Sequence, residues 1–241
     1  MALRDEHRRL LRQRRHAAGR LVNGDKAAAA RIDSAPPAYL LVHDSSDVAR
    51  HAALLGPRPA PGEVRVVVTP GRRHGTWQLD VTARDQAGLL AACTGVLAAA
   101  GLDVVQAVIA TWDDGAALEA FVVTTPVAPD AAGLQVALEH SLSAAVWTPA
   151  VDDAVVTFDD SGDGLYTACE VRAPDRPGLL HALAAAMAVA GADVHAASVT
   201  TVDGMAHDRF DLSDRDGRRL TPARQEAVRR SIGRGVAARA S

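Results

Sequence analysis

Between Trp77 and Ala83 every second residue is apolar: Trp77, Leu79, Val81 and Ala83 alternate with Gln78, Asp80 and Thr82. That period of two belongs to a strand with one buried face. Leu165, Thr167, Cys169, Val171 and Ala173 repeat the pattern 90 residues later. After each strand the period lengthens to that of a helix, over Gly88–Ala100 and Gly178–Ala190. A second strand is predicted over Asp103–Thr111 and Asp193–Thr201. Asp113-Asp114-Gly115 and Asp203-Gly204 then supply hairpin turns, since Asp and Gly tolerate positive φ. A third strand carries Phe121-Val122-Val123 or Phe210-Asp211-Leu212, and a second helix runs from about Asp130 to Val146 or from about Thr221 to Val236.

The two stretches are copies of one another. Aligned without a gap, Val81–Thr111 and Val171–Thr201 share 14 of 31 residues. The matches include Asp85/Asp175, Gly88/Gly178, Leu89-Leu90/Leu179-Leu180, Asp103-Val104/Asp193-Val194 and Thr111/Thr201. One residue then drops out, and Phe121 matches Phe210. Each copy reads β-α-β-β-α, one strand short of the split βαββαβ sandwich. The missing strand is supplied from ahead, by Val64–Thr69 and Ala154–Phe158, through hairpins at Pro70–Gly75 and Asp159–Gly164. The expected fold is α+β: two ferredoxin-like units in tandem, permuted to ββαββα, over residues 63–148 and 154–238.

A helical lead-in, residues 1–57, precedes them. Leu10, Leu11, Ala18 and Leu21 recur at helical spacing within Asp5–Val22, Ala35-Pro36-Pro37 breaks the pattern, and Ser45-Ser46-Asp47 offers caps for a helix through Leu55. The proline-rich stretch Gly56–Gly62 holds neither helix nor central strand and reads as a linker.

Composition narrows the function classes. The net charge of −3 argues against a general nucleic-acid binder, and the arginines of the first twenty residues, without interleaved aromatics, read as a solvated helix face. Alanine and arginine are abundant enough that alanine richness by itself says little. Cys93 and Cys169 lie in apolar runs outside any metal-ligand spacing, so buried free thiols are expected. With no signal-peptide stretch at the start and no apolar run of about 18 residues, a soluble cytoplasmic chain without membrane contact is expected. There is no P-loop, no GxGxxG after a strand, no HExxH and no GxSxG. His43-Asp44 and His207-Asp208 are read as chance adjacencies, and Ser161–Gly164 as a turn. No catalytic residue, metal site or cofactor is expected.

Candidate chemistry gathers at Asp175-Arg176-Pro177-Gly178-Leu179-Leu180, where a strand runs into a helix. A helix start leaves amide hydrogens unpaired and carries partial positive charge, which suits a carboxylate. Asp175 could receive an ammonium, and a free amino acid offers both groups. The same residues also make an ordinary helix start, with Asp175 as cap and Pro177 at the first helical position. Glu119 and Asp208 stand two residues before the inward phenylalanines; the expected place for both is a strand end, in water, with a ligand or neighbouring domain as the alternative. The apolar faces of Leu89, Leu90, Cys93, Val96 and Leu97, and of Leu179, Leu180, Leu183 and Met187, leave few charges for water, so a second packing partner is expected for each helix.

The run Asp-Arg-Pro-Gly-Leu-Leu between strand and helix, Gly-x-Asp-Val opening the next strand and Asp-Gly before Phe together resemble the ACT domain, a small ferredoxin-like module that binds amino acids, often between two copies. The tandem, its spacing and Val156-Thr-Phe-Asp-Asp160 are most similar to the C-terminal end of the bacterial bifunctional uridylyltransferase/uridylyl-removing enzymes, with Pro37, Tyr39 and His51 fitting the segment ahead of their ACT pair more loosely. The resemblance, over roughly residues 36–236, implies glutamine as first candidate ligand, the PII nitrogen-signalling protein as the modified protein, and a catalytic partner or self-association. It carries over onto Asp175, Arg176, Pro177, Gly178, Leu179 and Leu180 as ligand loop and onto Asp193 and Val194 as the strand start facing a neighbouring copy. Asp85, Gly88, Leu89 and Asp103 are their first-copy counterparts. There Gln86 and Ala87 replace Arg and Pro, so the second copy is expected to bind better. A ligand-free interaction module and a remnant nucleotidyltransferase are the other readings; the Gly-Ser and aspartate run of the latter is missing.

Overall fold

Four helices open the chain: α1 (Ala2–Leu21), α2 (Lys26–Asp33), α3 (Pro37–Val42) and α4 (Ser45–Leu55). The structure is a computed structural model and describes residues 2–142, 150–159 and 165–234. The Asp25 carboxylate accepts the Ala27 and Ala28 amides and starts α2. Pro37 does more than break the pattern. It opens α3 in a first turn where a missing N–H costs nothing. The cap of α4 is Asp44, one residue ahead of the expected Ser45-Ser46-Asp47, accepting from the Ser46 and Asp47 amides at 3.0 and 2.9 Å.

The first half continues as β1 (Val64–Pro70), β2 (Thr76–Arg84), α5 (Leu89–Ala99), β3 (Asp103–Thr111), β4 (Ala116–Thr124) and α6 (Ala131–Ser141). The second runs β5 (Val155–Asp159), β6 (Thr167–Pro174), α7 (Leu179–Val189), β7 (Ala192–Ser198), β8 (Thr201–Val202), β9 (Met205–Asp214) and α8 (Pro222–Arg234). All strand pairs are antiparallel, in the order β1-β2-β4-β3-β7-β9-β6-β5. The chain is therefore α+β, an antiparallel sheet with helices. The early strand of each half pairs inside that half, β1 with β2 and β5 with β6. The turn expected at Ser161–Gly164, and the extensions of the last helix of each half to Val146 and Val236, lie outside the described residues.

The expected strand Asp193–Thr201 is interrupted. It ends at Ser198, and Thr200 is held aside by two bonds with His207: its carbonyl accepts the His207 amide at 2.8 Å and its hydroxyl donates to the His207 carbonyl at 2.9 Å.

The halves meet at β3 and β7 through the pair Val108↔Ser198. These residues are 90 apart and are each other's counterparts in the repeat. An antiparallel pair of counterparts lies on a local two-fold axis. The axis also relates α5 to α7, which lie against each other, each supplying the other's expected packing partner. The His181 ring packs on Gly95, where an added Cβ would come within 2.8 Å of it, and its Nδ1 lies 2.9 Å from the Ala91 carbonyl oxygen. Leu97, Leu183 and Met187 are buried there, in one core shared by both halves.

The other sheet face distinguishes the halves. In the first half Ala110, Trp112, Leu118 and Ala120 form a second core with Ile32, Tyr39, Leu40, Val48 and Leu55 of the lead-in. In the second half the counterparts of Leu118 and Ala120 are His207 and Arg209, both exposed. An apolar face is covered and a polar one is left to water.

Candidate functional site

Both loops adopt the same turn. The Leu179 amide bonds the Arg176 carbonyl at 3.1 Å, and Gly178 has φ 77° and ψ 6°; the Leu89 amide bonds the Gln86 carbonyl at 3.1 Å, and Gly88 has φ 83° and ψ 8°. These are type II β-turns, which favour Pro at the second position and require Gly at the third. Pro177 is thus a turn residue ahead of the cap Gly178, and the first-helical-position reading is corrected. Asp175 is also no cap. Its amide donates to the Gly204 carbonyl at 2.9 Å, and its carboxylate accepts the Thr201 hydroxyl at 3.0 Å. In the first copy the Asp85 amide donates to the Gly115 carbonyl at 2.9 Å. With no side-chain cap, the amides of Leu180 and His181, and of Leu90 and Ala91, find no acceptor among the described residues. Since Ala87 holds the second turn position, Ala87→Pro is expected to stabilise the chain by about 0.4–1 kcal/mol, read as a higher urea midpoint, by restricting the unfolded state.

Each loop faces the other half. One cleft, enclosing about 30 Å³, brings Asp175, Arg176, Gly178, Leu179 and Leu180 together with Asp103 and Val104. Its two-fold mate, about 20 Å³, brings Asp85, Gly88 and Leu89 together with Asp193 and Val194. Pro177 does not line either cleft. A Cβ at Gly178 would stand 4.0 Å from Ala98 Cβ, and one at Gly88 3.8 Å from Ala188 Cβ, again as two-fold mates. The register of β3 slips between Val104 and Gln106 and that of β7 between Val194 and Ala196. Such bulges re-aim the strand ends where Asp103 and Asp193 sit.

Glu119 and Asp208 overturn the expectation of a watery strand end. They are only 2% and 3% exposed. Keeping phase with Phe121 and Phe210 turns them to the helix side of the sheet, where Glu119 lines the first-copy cleft and Asp208 the second-copy cleft. Burial raises Glu119 to about 8, against a hydrogen bond from the Cys93 thiol, with the charge of Asp85 adding to the rise. Burial raises Asp208 to about 7, against the Thr200 backbone, with Asp175 adding to the rise. Glu119 Oε2 and Asp208 Oδ1 have no hydrogen-bond partner among the described residues. Burial also raises Asp85 and Asp193, with His195 opposing both shifts.

On the opposite sheet face the lead-in is fastened by a polar network that the strand pattern did not reveal. Asp80, fully buried, accepts from Arg50 Nε at 2.7 Å and Gln78 Nε2 at 2.8 Å, and its Oδ1 lies 3.1 Å from His51 Nε2. The other ring nitrogen of His51 is 2.8 Å from the Tyr39 hydroxyl. Burial alone would raise Asp80, but the bonds from His51, Arg50 and Gln78 hold it down at about 2. The one sequence signal was a carboxylate on the polar face of β2 facing a lead-in with its own Tyr and His. Trp112 Nε1 donates to the Arg31 carbonyl at 3.0 Å, and Arg31 pairs with Asp114 at 2.8 Å. The turn holding Asp114 also holds Gly115, the partner of the Asp85 loop.

Both cysteines are buried free thiols, and no described helix is long and apolar enough to cross a membrane. No family model matches the chain. A crystal structure of an unknown protein from Galdieria sulphuraria aligns with 64% of this chain and 88% of that one, at 19% identity and a TM-score of 0.25, too low to bear on the fold. Curated sequences are more informative. The bifunctional uridylyltransferase/uridylyl-removing enzyme of Nitrobacter winogradskyi is 29% identical over 218 residues, which cover 81% of this chain and 24% of that enzyme. That of Gluconobacter oxydans is 29% identical over 227 residues, 83% of this chain and 24% of the enzyme. That of Azospirillum brasilense is 30% identical over 212 residues, 77% and 22%. The chain spans about a quarter of the length of these relatives, and it is homologous to that quarter of the bifunctional uridylyltransferase/uridylyl-removing enzymes.

Proposed function

We propose that the chain is a regulatory amino-acid-binding unit, with two ACT-like halves over residues 63–148 and 154–238 and a helical lead-in over 1–57. The observation that carries this reading is the pair of two-fold-related clefts, each set between the type II turn of one half and the strand start of the other. Uncapped helix amides suit the carboxylate of the ligand, and the acidic groups around them suit its ammonium. Glutamine is the first candidate, by resemblance to the uridylyltransferase/uridylyl-removing enzymes.

Regulation would follow from linkage. A ligand held between the halves favours the mutual arrangement that fits it, and any change in that arrangement alters what the lead-in presents to a catalytic partner or to a further region of a longer protein. The hairpin turn at Trp112–Gly115 supports this: it is bonded to the Asp85 loop through Gly115 and to α2 through Asp114 and Trp112. A uridylyl transfer or removal step carried out elsewhere is the activity to be controlled, and a soluble cytoplasmic setting goes with it.

The narrowness of the clefts favours a second reading. Cavities of 30 and 20 Å³ hold a water or two, so an amino acid enters only if the halves part. A ligand-free pairing module would need no such opening. A thermal-shift screen of the twenty amino acids separates the two. A ligand at a hundredfold its Kd adds about 2.7 kcal/mol to stability, and no shift with any of them leaves the pairing module. Gly178→Val is expected to weaken binding more than Gly88→Val, because the Pro177 loop is the better organised. Equal losses in calorimetric titration would remove that ranking.

A further inference from the structure

Most of the polar groups around the clefts are accounted for. Asp175 holds Thr201, Arg176 donates to the Ala150 carbonyl at 3.0 Å, and His181 reaches Ala91. Among the described residues Thr111 Oγ1 beside the first-copy cleft has no partner, and two acids are not accounted for in full: Asp208 and Glu119 each leave one carboxyl oxygen unpartnered, at 3% and 2% exposure. A buried polar oxygen without a partner is costly, and natural interiors hold few of them. These two carboxyl oxygens stand at matched positions of a repeat, each lining its own cleft. That placement asks for a donor that enters the cleft from outside.

We propose that Asp208 and Glu119 are the ammonium acceptors of the two clefts, each forming an ion pair with the α-ammonium of an amino acid whose carboxylate lies on the free amides of Leu180 and His181 or of Leu90 and Ala91. This rests on the amino-acid-binding reading above and adds the residues that recognise the cationic end, which the loop motif does not contain. The ligand class is a free α-amino acid. Its deaminated analogue lacks the group that Asp208 would meet.

The charge balance follows. Before a ligand arrives, burial keeps both carboxyls protonated to about 7 for Asp208 and about 8 for Glu119. The groups facing Asp208 are Asp175 and Arg176 of its loop, His181 of α7 and Asp103 of β3. Those facing Glu119 are Cys93 of α5, Asp85 of its loop and Asp193 of β7, with His195 close to both aspartates. An arriving ammonium favours the carboxylate, so the carboxyl gives its proton to the buffer as the zwitterion binds. Each occupied cleft then releases close to one proton at pH 6. Affinity rises as pH rises, about tenfold per unit, and levels off above about 7 for the Asp208 cleft or about 8 for the Glu119 cleft.

The test is isothermal titration of the whole chain with L-glutamine, then with the other nineteen amino acids, at pH 6 in MES and in Bis-Tris, whose ionisation enthalpies differ. A buffer-dependent enthalpy equivalent to nearly one proton per bound ligand is expected. Asp208→Asn should lose that proton, lose at least tenfold in affinity for the second-copy cleft, and no longer discriminate against the deaminated analogue, while its urea midpoint stays at or above that of the native chain. Glu119→Gln does the same for the other cleft. Binding with no proton release, or an unchanged preference for the amine in both variants, overturns the assignment and leaves the amino-acid reading standing. No heat with any of the twenty removes that reading and this inference with it.

Discussion

Asp80→Ala is expected to destabilise the chain by about 3–5 kcal/mol, the range found when one partner of a buried ion pair is removed. The Asp80 side chain is fully buried and accepts from three side chains on two elements. Without it, His51 Nε2, fully buried itself, loses its carboxylate and is left beside Arg50 Nη2 at 3.3 Å, and Arg50 loses its inner partner, retaining Asp47 at 2.8 Å. Arg50 keeps some contact with water, so the loss should fall nearer the lower end. The damage should begin at the lead-in. Trp112, 3% exposed and edge-on to Tyr39 at 5.2 Å between ring centres, should redden in fluorescence before the sheet melts. Replacing Asp80 and His51 together by leucine should recover part of the loss, because no buried charge or imidazole is then left unpaired. A loss under about 1 kcal/mol for Asp80→Ala would show that apolar packing alone fastens the lead-in.

The pH dependence of that network has a definite sign. A carboxyl held at about 2 when folded and near 3.8 when unfolded adds stability that is complete above about pH 4 and is lost as pH falls to 2. The size is about 2 kcal/mol at the usual cost per unit. Acid unfolding of the native chain should therefore steepen between pH 4 and 2, and the Asp80→Ala variant should show less of that steepening.

The strands and the repeat were legible because period and spacing are local signals. Alternation gave β2 and β6, and the 90-residue offset gave their equivalence. The same local signals misplaced Pro177. A proline just before a helical pattern reads as a first-turn residue until the positive φ of Gly178 shows that the two form a type II turn. Glu119 and Asp208 were misplaced for a related reason. Their phase pointed inward, but the known cost of burying an acid argued for a strand end, and only the three-dimensional placement of the clefts shows where that inward phase leads. The Asp80 network joins separate elements, with Arg50 lying 30 positions from Asp80, beyond any periodicity. The contrast that decides which half the lead-in covers was present in the chain all along: Leu118 and Ala120 in one copy stand against His207 and Arg209 in the other. That contrast becomes informative only once both strands are known to show two faces.

Glu119→Gln is expected to raise the stability of the ligand-free chain at pH 8, by on the order of 4 kcal/mol, and to change it little at pH 4. The folded carboxyl titrates at about 8 instead of near 4.5, because burial disfavours its charged form. Between those values the folded chain keeps a proton that the unfolded chain has given up, so native stability falls as pH rises through the window and levels off above it. Glutamine has nearly the same shape and no proton to lose, so its stability stays flat across the window, and the gap between the two proteins opens with pH. Asp208→Asn should open a gap of similar size between about pH 4 and 7. Urea midpoints from pH 4 to 9 measure both, and a native profile parallel to those of the variants would mean that the carboxyls ionise freely in the folded chain. A gap of the expected size gives the two acids a physical meaning. Two removable burdens at matched positions of a repeat are hard to reconcile with packing alone. They make sense where a cationic group, absent from the ligand-free chain, relieves the cost when it arrives.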